Sequence, residues 1–131
     1  MACLAVYGTL KSNQANHRLL SGAEFIGYGV SVEKYPMTDN EHTTYPFLFE
    51  APGVGCQVKM EVYDVGEQTL KQLDIYEGVH AGLYYRGKIK IDIRGKIIPC
   101  ICYFCSDLTG YRKQEFLREW GVHISEREQD S

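Results

Sequence analysis

The fold is decided by residues 84–105, YYRGKIKIDIRGKIIPCICYFC. Over 84–94 the pattern alternates: Ile89, Ile91 and Ile93 fall on one face, Lys88, Lys90, Asp92 and Arg94 on the other. A period of two is the signature of a half-buried strand. Gly95-Lys96 then reads as a tight hairpin turn. The return, 97–105, is apolar on both faces, which predicts a central strand, with Pro99 near its start or at a bulge. In such a strand Cys100 and Cys102 share one face and Cys105 takes the other. Zinc usually takes four ligands in two spaced pairs. C-x-C-x-x-C lacks the second pair, so these thiols read as small apolar core residues, with metal or redox work as the competing reading.

Working outward, 57–65 places Val58, Met60 and Val62 opposite Lys59, Glu61 and Tyr63, again a half-buried strand. Residues 2–7 read as a short buried strand and 23–33 as a strand bent at Gly27 and Gly29. The segment 35–57 is punctuated by Pro36, Pro46, Pro52, Gly53 and Gly55, with a brief edge strand in YPFLFE. Helices are predicted at 13–21, capped by Ser12 or Asn13, at 67–77, and around Phe116, Leu117 and Trp120. Several strands with a few short helices make an α+β domain over 1–121, its glycines bending the sheet strongly toward a barrel. Residues 122–131 form a polar tail.

The chain has 131 residues, a formal charge of −3 and five cysteines. That length suits one domain with a core of its own. Interspersed charge argues against nucleic acid. No run reaches the ~18 apolar residues of a membrane helix, and no secretory signal is visible. An odd cysteine count suits a reducing compartment, so a cytoplasmic protein is the expectation.

One residue breaks the pattern. In GEQTLKQLDIYEG (66–78) the inward stripe is Leu70 and Leu73, and at 100° per residue Glu77 falls within ~20° of Leu70 and ~40° of Leu73. Burial and the helix C-terminus both disfavour its charged form, so its pKa should rise toward the range of a proton shuttle. The structural alternative is an acid paired with Arg86 or a lysine, or one turned out to solvent. Asp74, on the flank of the stripe, reads as an acid capping a loop or accepting backbone amides. His17 reads as a hydrogen-bonded structural histidine. At the other end of the chain, Tyr7-Gly8-Thr9-Leu10 ends a strand in a glycine turn, where backbone N–H groups can meet an anion.

VYGTLK (6–11), NHRLL (16–20), YPFL (45–48), EVYDV (61–65) and LDIYEG…LYYR (73–86) occur together in this order. By this set the chain resembles the gamma-glutamyl cyclotransferase-like family, most nearly its gamma-glutamylamine-specific members, over residues 4–105. The resemblance implies a small mixed β-barrel with helices packed outside. It implies a reaction in which the α-amine of a γ-glutamyl group attacks its own γ-carbonyl, expels an amine and closes 5-oxoproline. Carried over by position, the catalytic glutamate falls on Glu77 and the substrate-binding turn on Tyr7, Gly8, Thr9 and Leu10. One of Tyr84 and Tyr85 is expected to reach the substrate, with Tyr84 favoured. The expected partner is a small γ-glutamyl molecule, with no metal and no cofactor. Met60 stands where the pattern would have glycine, and either narrows the pocket or packs in the core. The alternatives are a cyclotransferase of γ-glutamyl amino acids and a binding module that has lost the chemistry.

Overall fold

The computed structural model describes residues 2–8, 10–12, 14, 16–38, 46–106, 116, 118 and 119. Thr9, the 122–131 tail and most of the helix expected around Trp120 lie outside them. The elements are strands β1 (Ala2–Val6), β2 (Glu24–Tyr35), β3 (Met37–Thr38), β4 (Phe47–Leu48) and β5 (Cys56–Val65), helix α1 (Glu67–Tyr76), and strands β6 (Tyr84–Ile93) and β7 (Lys96–Cys105). Two short 3₁₀ helices lie at His17–Leu20 and Val79–Ala81. None of the described helices is long and apolar enough to cross a membrane.

Five strands close into a barrel in the order β1-β5-β2-β6-β7. Its antiparallel pairs are completed by one parallel contact, β1 with β7 at Leu4 and Ile101. Closure depends on β2. This strand carries irregularities between Phe25 and Gly27 and between Val30 and Lys34, which sharpen twist and bend. At Gly29 a Cβ would lie 2.5 Å from Ile91 Cγ2 and 2.8 Å from the Asp92 carbonyl oxygen. Only a hydrogen there lets β6 cross so closely.

The β6–β7 hairpin forms as the alternation predicts, with its turn one residue earlier. Ile93 pairs with Lys96, so Arg94-Gly95 is the two-residue loop, both at positive φ (54° and 88°). That is the primed geometry whose twist matches the strands. The Asp92 carboxylate accepts the Gly95 N–H at 2.7 Å and holds it. Pro99 lies ahead of the point where β1 joins β7 at Ile101, where the strand's second edge has least need of an N–H.

The described residues form two cores. Inside the barrel pack Ala5, Val58, Met60, Val62, Ile89, Ile91, Cys100, Cys102 and Phe104. Outside it Leu70 and Leu73 of α1 and Leu20 of the first 3₁₀ helix cover Leu4, Val6, Tyr63, Val65 and Tyr103. Truncating a buried leucine such as Leu73 to alanine costs about 2–5 kcal/mol. The outer core explains a departure from the period-two reading of β5: Glu61 and Tyr63, nominally solvent-facing, are each 4% exposed. The 13–21 helix shrinks to one 3₁₀ turn preceded by Asn16, with no side-chain cap bond.

Candidate active site

α1 ends where its inward stripe reaches Glu77. The Glu77 N–H donates to the Leu73 carbonyl at 2.8 Å, closing the last turn. Gly78 then adopts the left-handed conformation (φ 68°), and its carbonyl accepts the Leu83 N–H at 3.1 Å. A Cβ at 78 would sit 2.8 Å from Leu83 Cδ1. Glycine at this position therefore both stops the helix and brings Leu83 in beside Glu77.

Glu77 lines a cavity of about 230 Å³ at one end of the barrel. The end of β1 contributes Ala5 and Val6, and the chain beyond it Tyr7, Gly8 and Leu10. Tyr76 and Leu83 flank Glu77, Tyr84 comes from β6, Tyr103 from β7, and Pro46 from the segment entering β4. Among the described lining residues there is no lysine, arginine or histidine. Glu77 is half-buried there, and burial raises its pKa from the ordinary 4.5 to about 7.

The structure thus gathers Tyr7, Gly8, Leu10, Glu77 and Tyr84 around one space. Gly8 is buried against Pro46, whose ring atoms would lie 3.0 Å from a Cβ at 8. The turn is closed by the Lys11 N–H donating to the Gly8 carbonyl at 3.0 Å. His17 Nδ1 lies 3.0 Å from the Leu10 carbonyl; an acceptor there makes Nδ1 the protonated nitrogen. The histidine is a brace for the turn. The Tyr7 hydroxyl donates to the Tyr103 carbonyl at 2.6 Å, and burial holds the phenol protonated. Of the tyrosine pair, Tyr84 faces the cavity with its hydroxyl 3.3 Å from the Pro46 carbonyl. Tyr85 turns away and donates to Glu50 at 2.8 Å.

Other candidates fall elsewhere. Asp74 meets side chains rather than backbone amides. It accepts Arg86 Nε and Nη2 at 2.8 and 2.5 Å and the Tyr103 hydroxyl at 2.6 Å. Arg86 holds its carboxyl below the usual range. Arg86 is therefore spent on Asp74. Met60 packs inside the barrel. Burial pushes the Cys100 thiol up to about 12 and Cys102 well above its ordinary value, as core packing requires.

The alternation patterns missed the rest of the lining. Tyr103 and Leu83 read as core and loop, and no sequence signal placed Pro46 over Gly8. Glu61, buried behind the turn, was masked by its place between Lys59 and Tyr63 on a polar-looking face.

Known proteins share this sequence pattern and this fold. The family model described as "Gamma-glutamyl cyclotransferase, AIG2-like" matches residues 4–121. The rat protein named gamma-glutamylaminecyclotransferase is 37% identical over 71% of this chain and 65% of its own length. The bovine protein of that name is 36% identical over 95% of this chain and 72% of its own. The chain thus spans roughly two thirds of such relatives. The crystal structure of a mouse AIG2-like protein superposes with a TM-score of 0.85 at 29% identity, covering 93% of this chain and 89% of that one. With a family model matching residues 4–121 and a relative 36% identical over 95% of the chain, the chain belongs to the AIG2-like gamma-glutamyl cyclotransferase family.

Proposed function

We propose that this protein is a cyclotransferase that converts a γ-glutamyl amine to 5-oxoproline and a free amine. The observation that carries the reading is one carboxyl of raised pKa, Glu77, lining the same cavity as a glycine turn, with no other charged side chain among the described lining residues.

The reaction asks little of a protein. The nucleophile is tethered to its electrophile, and well-oriented tethered reactions reach effective molarities of ~10⁵–10⁸ M. The cavity holds the glutamyl chain curled. Glu77 as carboxylate takes a proton from the α-ammonium. The freed amine attacks the γ-carbonyl, a C–N bond forms, and the tetrahedral carbon collapses as its bond to the leaving nitrogen breaks. The protonated Glu77 returns the proton to that nitrogen and, carboxylate again, takes the second proton from the new ring nitrogen; that proton leaves with the amine as its ammonium. A pKa near the working pH suits both directions of transfer. With no basic side chain in the described lining, the α-carboxylate is left to the main-chain amides of the turn through Gly8, Thr9 and Leu10. Tyr84 closes the pocket beside it.

The leaving side supports an amine rather than an α-amino acid. Leu83, 58% exposed, and Tyr76, 45% exposed, form an apolar mouth. This open apolar surface suits the alkyl chain of an amine, and the described lining offers no cation to pair with a carboxylate next to the scissile nitrogen. Five free thiols fit a reducing compartment such as the cytoplasm.

The test is incubation with γ-glutamyl-ε-lysine, γ-glutamyl-butylamine and γ-glutamyl-alanine, assayed for 5-oxoproline. Release from the first two at ten times or more the rate of the third is expected. A preference for the dipeptide would move the assignment to γ-glutamyl amino acids. Release from none, with binding retained, would make this a binding module.

A further inference from the structure

Glu61 stands beside Val6 in the β1–β5 ladder, at the point where the chain leaves the sheet for the Tyr7–Leu10 turn. It is 4% exposed, yet its side chain lies on the barrel's outer face and does not line the cavity. Both of its oxygens are used. Oε1 accepts the Ser12 N–H at 2.7 Å and the Tyr63 hydroxyl at 2.9 Å; Oε2 accepts the Ser12 hydroxyl at 2.9 Å. Burying a carboxylate is costly unless it is satisfied, so such a group is kept for what it holds.

It holds one end of the turn. The turn's other fastenings include Lys11 N–H to the Gly8 carbonyl, His17 to the Leu10 carbonyl, the Tyr7 hydroxyl to the Tyr103 carbonyl, and the Lys11 ammonium 3.8 Å from the Glu119 carboxylate. The first two close the loop upon itself and against the first 3₁₀ helix. The Ser12–Glu61 bonds fasten its far end directly to β5, as the Tyr7–Tyr103 bond fastens its near end to β7. A carboxylate accepting a backbone N–H and a hydroxyl makes two charge-assisted bonds, the strong and geometrically strict kind.

We propose that Glu61 is a positioning residue that fixes the Gly8–Leu10 turn at its distance from Glu77 and so sets affinity for the γ-glutamyl α-carboxylate. The inference rests on the cyclotransferase reading above for its substrate, and on the geometry alone for its hold on the turn. The turn grips the carboxylate equally in ground and transition states, so loosening it raises KM and leaves kcat.

The experiment is a graded series. Glu61→Leu keeps volume and removes every acceptor; it should raise KM for γ-glutamyl-butylamine about tenfold with kcat within about threefold. Glu61→Gln restores the geometry, its carbonyl accepting the Ser12 N–H and its amide donating to the Ser12 hydroxyl, and should return KM to within about threefold of wild type. Ser12→Ala, at an exposed position, loses only the hydroxyl bond and should raise KM a few-fold even if Glu61→Leu does not fold. Amide exchange provides a readout without substrate: Lys11 and Ser12 should exchange at least tenfold faster in Ser12→Ala and Glu61→Leu, with β6 and β7 unchanged. Unaltered KM and unaltered exchange would overturn the proposal. So would a fall in melting temperature with kcat and KM moving together, the mark of a merely structural acid. A wild type that makes no 5-oxoproline would sink the cyclotransferase reading instead, and the exchange arm would then decide the hold of Glu61 by itself.

Discussion

Arg86 grips both carboxylate oxygens of Asp74, at 2.8 and 2.5 Å, while Glu77, three residues on, lines a cavity whose described walls contain no cation. The two acids lie within one helical turn and are driven apart in pKa. The guanidinium pulls Asp74 down, and burial pushes Glu77 up to about 7. Environments that separate neighbouring carboxyls in this way assign their roles. Asp74 ties α1 to β6 and Tyr103, and in the proposed mechanism Glu77 is the acid that moves protons.

Replacing Glu77 with glutamine should keep the fold and reduce 5-oxoproline release by at least ~10²-fold, the usual contribution of a general acid–base group. Turnover with a γ-glutamyl amine, beside the melting temperature, checks it. Near-wild-type turnover would remove Glu77 from the chemistry.

The raised pKa also fixes the sign of a stability effect. Below about pH 4.5 folded and unfolded chains both hold the proton, and nothing is lost. Between there and about 7 the unfolded chain ionises while the folded one does not, so stability declines as pH rises. Above about 7 the full cost is present, up to about 3 kcal/mol. Glu77→Gln should therefore melt several degrees above wild type at pH 8, and the two should draw together near pH 5. In the proposed mechanism the rate depends on the ionised form, so kcat/KM should fall on the acid side of about pH 7. Melting curves that differ equally at both pH values would contradict the burial of this acid.

Gly78→Ala places a side chain at φ 68° and 2.8 Å from Leu83 Cδ1. Left-handed backbone costs a non-glycine residue about 1–2 kcal/mol. The close contact adds to that and shifts the chain next to Glu77. A lower melting temperature together with reduced turnover is expected, read by thermal unfolding and steady-state kinetics. Unchanged turnover would mean that the helix end does not set the carboxyl's position.

The thiols should behave as core. Cys100, Cys102 and Cys105 are buried, whereas Cys3 and Cys56 are half-buried. Maleimide labelling of the native protein at pH 8, followed by mass spectrometry, should modify at most the latter two and leave turnover intact. Loss of activity in step with labelling in the 100–105 strand would restore the thiol reading.

Much of this was legible in residue order because its physics is local. Alternation over 84–94 and 57–65 gives strands whichever partners they find, and the spacing of Leu70, Leu73 and Glu77 turns an acid inward on any helix that forms. The ordered motifs located the turn at Tyr7–Leu10 in the same way. What needed the tertiary structure was every decision about what covers what. The parallel β1–β7 contact at Leu4 and Ile101 closes the barrel across nearly a hundred residues, and no period records it. The hairpin turn moved to Arg94-Gly95 because cross-strand pairing, not the glycine alone, sets register. Tyr84 and Tyr85 are neighbours with one chemistry, and the pleat sends only one to the cavity. Glu61 reads as a surface acid until Ser12 and Tyr63 close on it. Local periodicity tells which way a side chain faces; burial, charge pairing and pKa belong to whatever the rest of the chain lays on that face.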